Sequence, residues 1–245
     1  MVCSDTLPDI RGTRGRIVVP GIPPESLRCN RMNKMSNPGS IFEKTYTDYL
    51  AQVNRLDIGA RASRLGIETA DEKGVRVPLL DQIFHVSGKG IQNAVGQRPG
   101  FDLCVVLCKY LLLCPDSTPK GDEWVTYRGL RDSGPLTVFF KNEVEQAIAV
   151  CFAGRLPVLR RACAALGGQV RDPDGAYDLV AWFAALPKVP MLLQFNDKDE
   201  EFPAECRLLF EERAEAYLDA ECLAMLGRHL RKRLQQRGGP DNGRS

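Results

Sequence analysis

The chain has 245 residues, 44% hydrophobic and 26% charged, the proportions of a globular protein and not of a disordered or fibrous one. It contains no run of about 18 apolar residues, so no transmembrane helix is expected; Ile17-Val18-Val19, stopped by Pro20, is too short for a signal-peptide core, which points to a soluble protein kept in the cytoplasm. The net charge of +2 is unevenly spread: residues 1–40 hold six basic and three acidic side chains, residues 227–245 six and one, and residues 41–226 the remaining 21 and 27. An acidic body with basic ends is the reverse of a nucleic-acid-binding domain, so no nucleic-acid partner is expected, and without a transmembrane run no membrane is expected as a partner either.

Residues 1–40 carry Pro8, Pro20, Pro23, Pro24 and Pro38 without lasting periodicity and read as a disordered arm. Met32 and Met35 precede the first periodic segment, and a start at either would leave the folded body whole. A helix is expected over 41–56 with Ser40 as its N-cap, because Phe42, Tyr46, Tyr49, Val53 and Leu56 recur at spacings of three and four. Asp57 caps a short second helix that Gly66 ends. Residues 67–69 and 75–77 form a hairpin about a turn at 71–74, residues 83–86 a further strand, and the Gly-rich, polar stretch 87–100 a loop. Residues 101–114 are the most apolar of the chain and read as a buried helix, with Leu103, Val106, Leu107, Tyr110 and Leu111 at the centre of the core.

Further on, 123–127 reads as a strand, and 139–152 and 156–166 as helices, the second ended by Gly167-Gly168. Residues 176–184 suit a strand or a short helix. Strands 190–195 and 206–210 make a hairpin about the acidic loop 196–203, and a helix over 219–233 carries a basic end that complements its dipole. The whole is an α+β fold: a single domain over 41–236, in which short antiparallel β-hairpins pack against several helices, with disordered tails at 1–40 and 237–245.

Nine cysteines, an odd number without a secretion signal, argue against a disulfide framework. Cys104 and Cys108 share a helix face and could share a metal, but no Cys-x-x-Cys pair exists, and buried thiols are the simpler explanation. His85 and His229 are the only histidines, too few for a three-histidine metal site. Gly88-Lys89-Gly90 lacks the spacing of a phosphate-binding loop. Asp197, Asp199, Glu200 and Glu201 put four carboxylates within five residues on a loop held by strands, a composition that suits a divalent cation or, more plainly, a solvated charged turn.

Leu186-Pro187-Lys188-Val189-Pro190, Leu192-Leu193-Gln194-Phe195, the block Asp199-Glu200-Glu201-Phe202-Pro203-Ala204, Leu209-Phe210 and Tyr217-Leu218 resemble a bacterial and archaeal family catalogued as domain of unknown function 3786. Residues 121–127, and Ala164–Gly168 with Ala176-Tyr177, look like further shared blocks, so the likeness runs from about residue 42 to 234. Glu211 stands where the family block has Asp, and Ala216 where it often has His. The resemblance implies an organism with anaerobic metabolism and relatives joined to iron–sulfur domains; it supplies no activity. Two readings follow. The chain is an accessory domain of anaerobic metabolism that binds a protein, a cofactor or a cofactor-bearing enzyme; or it is a metal-dependent enzyme, or a metal- or tetrapyrrole-handling protein, working through Asp197, Asp199, Glu200 and Glu201. Neither a cofactor nor an oligomeric state can be read from the residues.

Overall fold

The computed structural model describes residues 38–70, 74–171 and 175–238. The expected arm up to residue 37, the turn residues 71–73 and the tail from 239 lie outside them. The fold is α+β, with two antiparallel sheets and helices packed on one continuous hydrophobic core.

Helix α1 (Pro38–Val53) begins earlier than its apolar stripe suggests, so Ser40 lies inside it and is not its N-cap. Tyr46 and Tyr49 pack on the core, and the Tyr46 hydroxyl accepts from the Ile91 amide at 3.0 Å. Helix α2 (Ile58–Leu65) has the expected ends: the Asp57 carboxylate accepts from the Ala60 amide, and Gly66 takes the left-handed conformation at φ 66°.

The first sheet is a meander of β1 (Glu68–Ala70), β2 (Gly74–Leu79), β3 (Gln82–Ser87) and β4 (Gly90–Asn93). Strand β4 corrects the loop expected over 87–100: Ser87 pairs with Gly90 and Phe84 with Asn93 about the two-residue turn Gly88-Lys89. The glycines there serve a hairpin turn, which is also what became of the phosphate-loop candidate. Helix α3 (Phe101–Leu112) is the buried helix expected, although Leu103 is only partly buried.

The second sheet has the order β5-β9-β8-β7-β6, formed by β5 (Trp124–Thr126), β6 (Gln169–Arg171), β7 (Leu179–Leu186), β8 (Val189–Asn196) and β9 (Glu205–Glu211). Of the segment 176–184, residues 179–184 belong to strand β7 and 176–178 precede it; the alternating burial of β7 follows from one covered face. The Leu80 amide, at the β2–β3 turn, donates to the Ala185 carbonyl and ties the two sheets together.

Between β5 and β6 run α4 (Thr137–Phe140), a π-helical stretch Lys141–Gln146, α5 (Ala147–Phe152) and α6 (Leu156–Ala165). The first three are continuous. Phe140 anchors them: its ring stacks on Tyr127 at 4.2 Å and meets Phe210 at 6.0 Å. Its other side abuts Gly227, where a β-carbon would fall 2.6 Å from the ring, so α7 (Ala220–Gly238) can approach only because that residue has no side chain.

Helix α7 reaches beyond the expected 219–233, and residues 237–238 belong to it and not to a tail. Its arginines are structural: Arg228 pairs with Asp102, and Arg233 and Arg237 both reach Asp81. Residues 38–238 therefore hold 26 basic and 27 acidic side chains. That body is near neutral. No helix among the described residues is long and apolar enough to cross a membrane.

Candidate functional site

Strands β8 and β9 pair in unbroken register from Met191–Phe210 to Asn196–Glu205, with Leu193, Phe195, Leu208 and Phe210 buried beneath. The acidic loop is carried on this hairpin. Its carboxylates do not converge. Asp199 accepts from the amides of Glu201 at 2.8 Å and Phe202 at 2.7 Å, while its own amide donates to the Phe202 carbonyl at 3.0 Å. Those amides hold the Asp199 carboxyl below its ordinary pKa, because they bind its charged form. Asp197 accepts from the amides of Gly154 at 2.5 Å and Lys198 at 2.8 Å, and its amide donates to Asp178. Both aspartates thus close the loop on itself and on the turn after α5. Glu200, Glu201 and Phe202 are left exposed at the tip.

Two clefts flank the loop. One, of about 540 Å³, is lined by Tyr177, Asp178, Asp197, Asp199, Phe202 and Glu205 among others. Asp197 and Asp199 line it together with Asp178, whereas Glu200 and Glu201 do not. The other, of about 490 Å³, lies between the π-helical stretch with α5 and the start of β9; Lys141, Glu145, Val150, Lys198, Cys206 and Arg207 are among its lining residues. Among the described residues no three His, Cys, Asp or Glu side chains are placed to hold a metal ion.

Glu145 was not a candidate from the sequence. It accepts from the Leu208 amide of β9 at 3.1 Å, and burial raises its pKa above the ordinary carboxylate value against the pull of that amide, Lys141 and Arg207. The one trace of it in the sequence is an acidic residue on the helix face that Ala149 and Phe152 share, four and seven residues on. The π-helical turn that aims it at β9 has no comparable signature; such turns often mark functional positions.

The other candidates are placed as follows. Cys104 and Cys108 share the buried face of α3, and burial pushes their thiols up to about 11 and about 12. His85 lies on β3. His229 lies on α7 with Nε2 buried and unpartnered, and burial with nearby Arg233 lowers its pKa to about 4.

A family model described as a domain of unknown function (DUF3786) matches residues 57–233, a stretch that begins after α1 and takes in both clefts and the hairpin. No curated protein and no solved structure matches the chain.

Proposed function

The chain belongs to the family described as domain of unknown function DUF3786, and we propose that it is an accessory domain that docks onto another protein through the tip of the β8–β9 hairpin. Phe202 carries this reading: it is 66% exposed on a loop whose shape is set from within by Asp197 and Asp199. A large apolar side chain held out on a rigid support loses little entropy when a partner covers it. Glu200 and Glu201 beside it favour a partner with a basic rim around an apolar recess, and their charges steer its approach. As the partner we propose a cofactor-bearing enzyme of anaerobic metabolism.

One observation favours the second reading, a metal-dependent enzyme or a metal- or tetrapyrrole-handling protein. Asp178, Asp197, Asp199 and Glu205 line a single cleft. Affinity capture in the source organism, with metal content measured on the same samples, separates the two. The docking reading expects a stoichiometric partner on the wild-type chain, released by salt and missing from a Glu200→Gln, Glu201→Gln, Phe202→Ala variant. A stoichiometric transition metal that Asp199→Asn removes, with the same partners on both chains, would establish the metal reading instead.

A further inference from the structure

We propose that the cleft between α5 and β9 seats a short, extended, acidic segment of a protein partner, added as a strand to the open end of β9. The inference does not depend on the hairpin tip, since Glu200, Glu201 and Phe202 do not line this cleft.

The first support is a sheet edge that lacks a strand neighbour. Strand β5 pairs only with Leu209–Glu211, so β9 before Leu209 has no strand on that side. The Glu212 amide donates to the Glu123 carbonyl at 2.9 Å, and the Leu208 amide reaches Glu145, so even-numbered amides of this stretch face the β5 side. By the alternation of an antiparallel ladder, the Cys206 amide and carbonyl face the same way. Glu145 stands in for a missing strand at Leu208. At Cys206 no described residue does, and the cleft begins there. A strand end open beside a helix is the geometry of β-strand addition.

The second support is charge. Lys141, Lys198 and Arg207 line the cleft, and none has an ion-pair partner among the described residues. Two acids share the cleft with these three cations: Glu145, bound by the Leu208 amide and within the field of Lys141 and Arg207, and Glu205. The surface calls for acidic side chains. It also offers an apolar contact, since Val150 is 71% exposed at the cleft wall beside Ala149 and Ala153. An extended segment sends alternate side chains to opposite sides. One that alternates acidic and apolar residues serves both the three cations and Val150. The chain's own residues 1–37 carry six basic and three acidic side chains and have the wrong charge for this seat.

Titration calorimetry of the full chain tests this with an acetylated, amidated hexapeptide of alternating Glu and Val. The Lys–Val counterpart and a Glu–Val peptide N-methylated at its central amides are the controls. The Glu–Val peptide is expected to bind about tenfold or more tightly than either. Lys141→Glu with Lys198→Glu, both exposed and leaving the melting temperature unchanged, is expected to weaken it by a similar factor. Equal binding of the N-methylated peptide would show that no strand is added. Displacement by inorganic phosphate would make the cleft a small-anion site. Dissociation of a dimer by the peptide would make the occupant a second copy of the chain. Absence of millimolar binding would leave the cleft without this ligand class. Each of these overturns the proposal.

Discussion

Replacing Leu107 by alanine removes a side chain with no exposed surface from the middle of α3, with Val106, Cys108 and Leu111 equally enclosed around it. The cost has two parts, the lost transfer of the removed carbons and the cavity they leave. For an enclosed leucine they sum to about 3 kcal/mol within the usual range of roughly 2–5. In a domain of this size each kcal/mol lowers the melting temperature by about 2–4 °C, so the midpoint should fall by about 6–12 °C. Leu103, one turn earlier, is only partly buried. Its replacement leaves a site that water reaches and should cost about 1 kcal/mol. Calorimetry on the two variants, supported by urea melts with an unchanged slope, decides the matter. Equal losses would refute the packing of α3 described above.

Cys104 and Cys108, enclosed and with raised thiol pKa values, should react with a thiol reagent only on unfolding, while the half-buried Cys151 labels ahead of both; mass spectrometry of partly labelled protein reads the order. His229 is held neutral in the folded chain, its pKa near 4 against 6.5 ordinarily. The unfolded chain therefore binds the extra proton between those values, so stability rises with pH across that window and is lost as pH falls through it. The span is on the order of 3 kcal/mol, and a His229→Gln variant should flatten it in denaturant melts from pH 4 to 7; equal slopes would contradict the assignment. Gly227→Ala pushes a methyl group against Phe140 and should cost about 1–3 kcal/mol, part of which Phe140→Leu restores.

The residues announced their local structure where one side-chain pattern decides it. Asp57 and Gly66 bracket α2 because a cap and a left-handed stop are local devices. The apolar run of α3 and the β8–β9 hairpin follow from periodicity and a turn-forming loop. Strand β4 did not show itself, because Gly90-Ile91-Gln92-Asn93 has a single apolar residue and owes its conformation to pairing with β3 and to the Tyr46 hydroxyl on Ile91. The basic end of α7 was legible as a helix end, but its ion pairs were not, because Asp81 and Asp102 are more than a hundred positions away. Glu145 escaped notice for a similar reason. Its role depends on where β5 stops, at Thr126, and on a π-helical turn, both settled by tertiary packing. The acidic loop was legible as a composition, but not the use of Asp197 and Asp199 to close their own backbone turn.

The most direct test of docking through the hairpin tip is photo-crosslinking from position 202 in living cells of the source organism. A benzophenone amino acid replaces Phe202, and a second chain carries it in place of Val95, which is at least as exposed. The docking account predicts one dominant adduct from position 202, absent from position 95 and suppressed by Glu200→Gln with Glu201→Gln. The same adducts from both positions, or none from either, would contradict it.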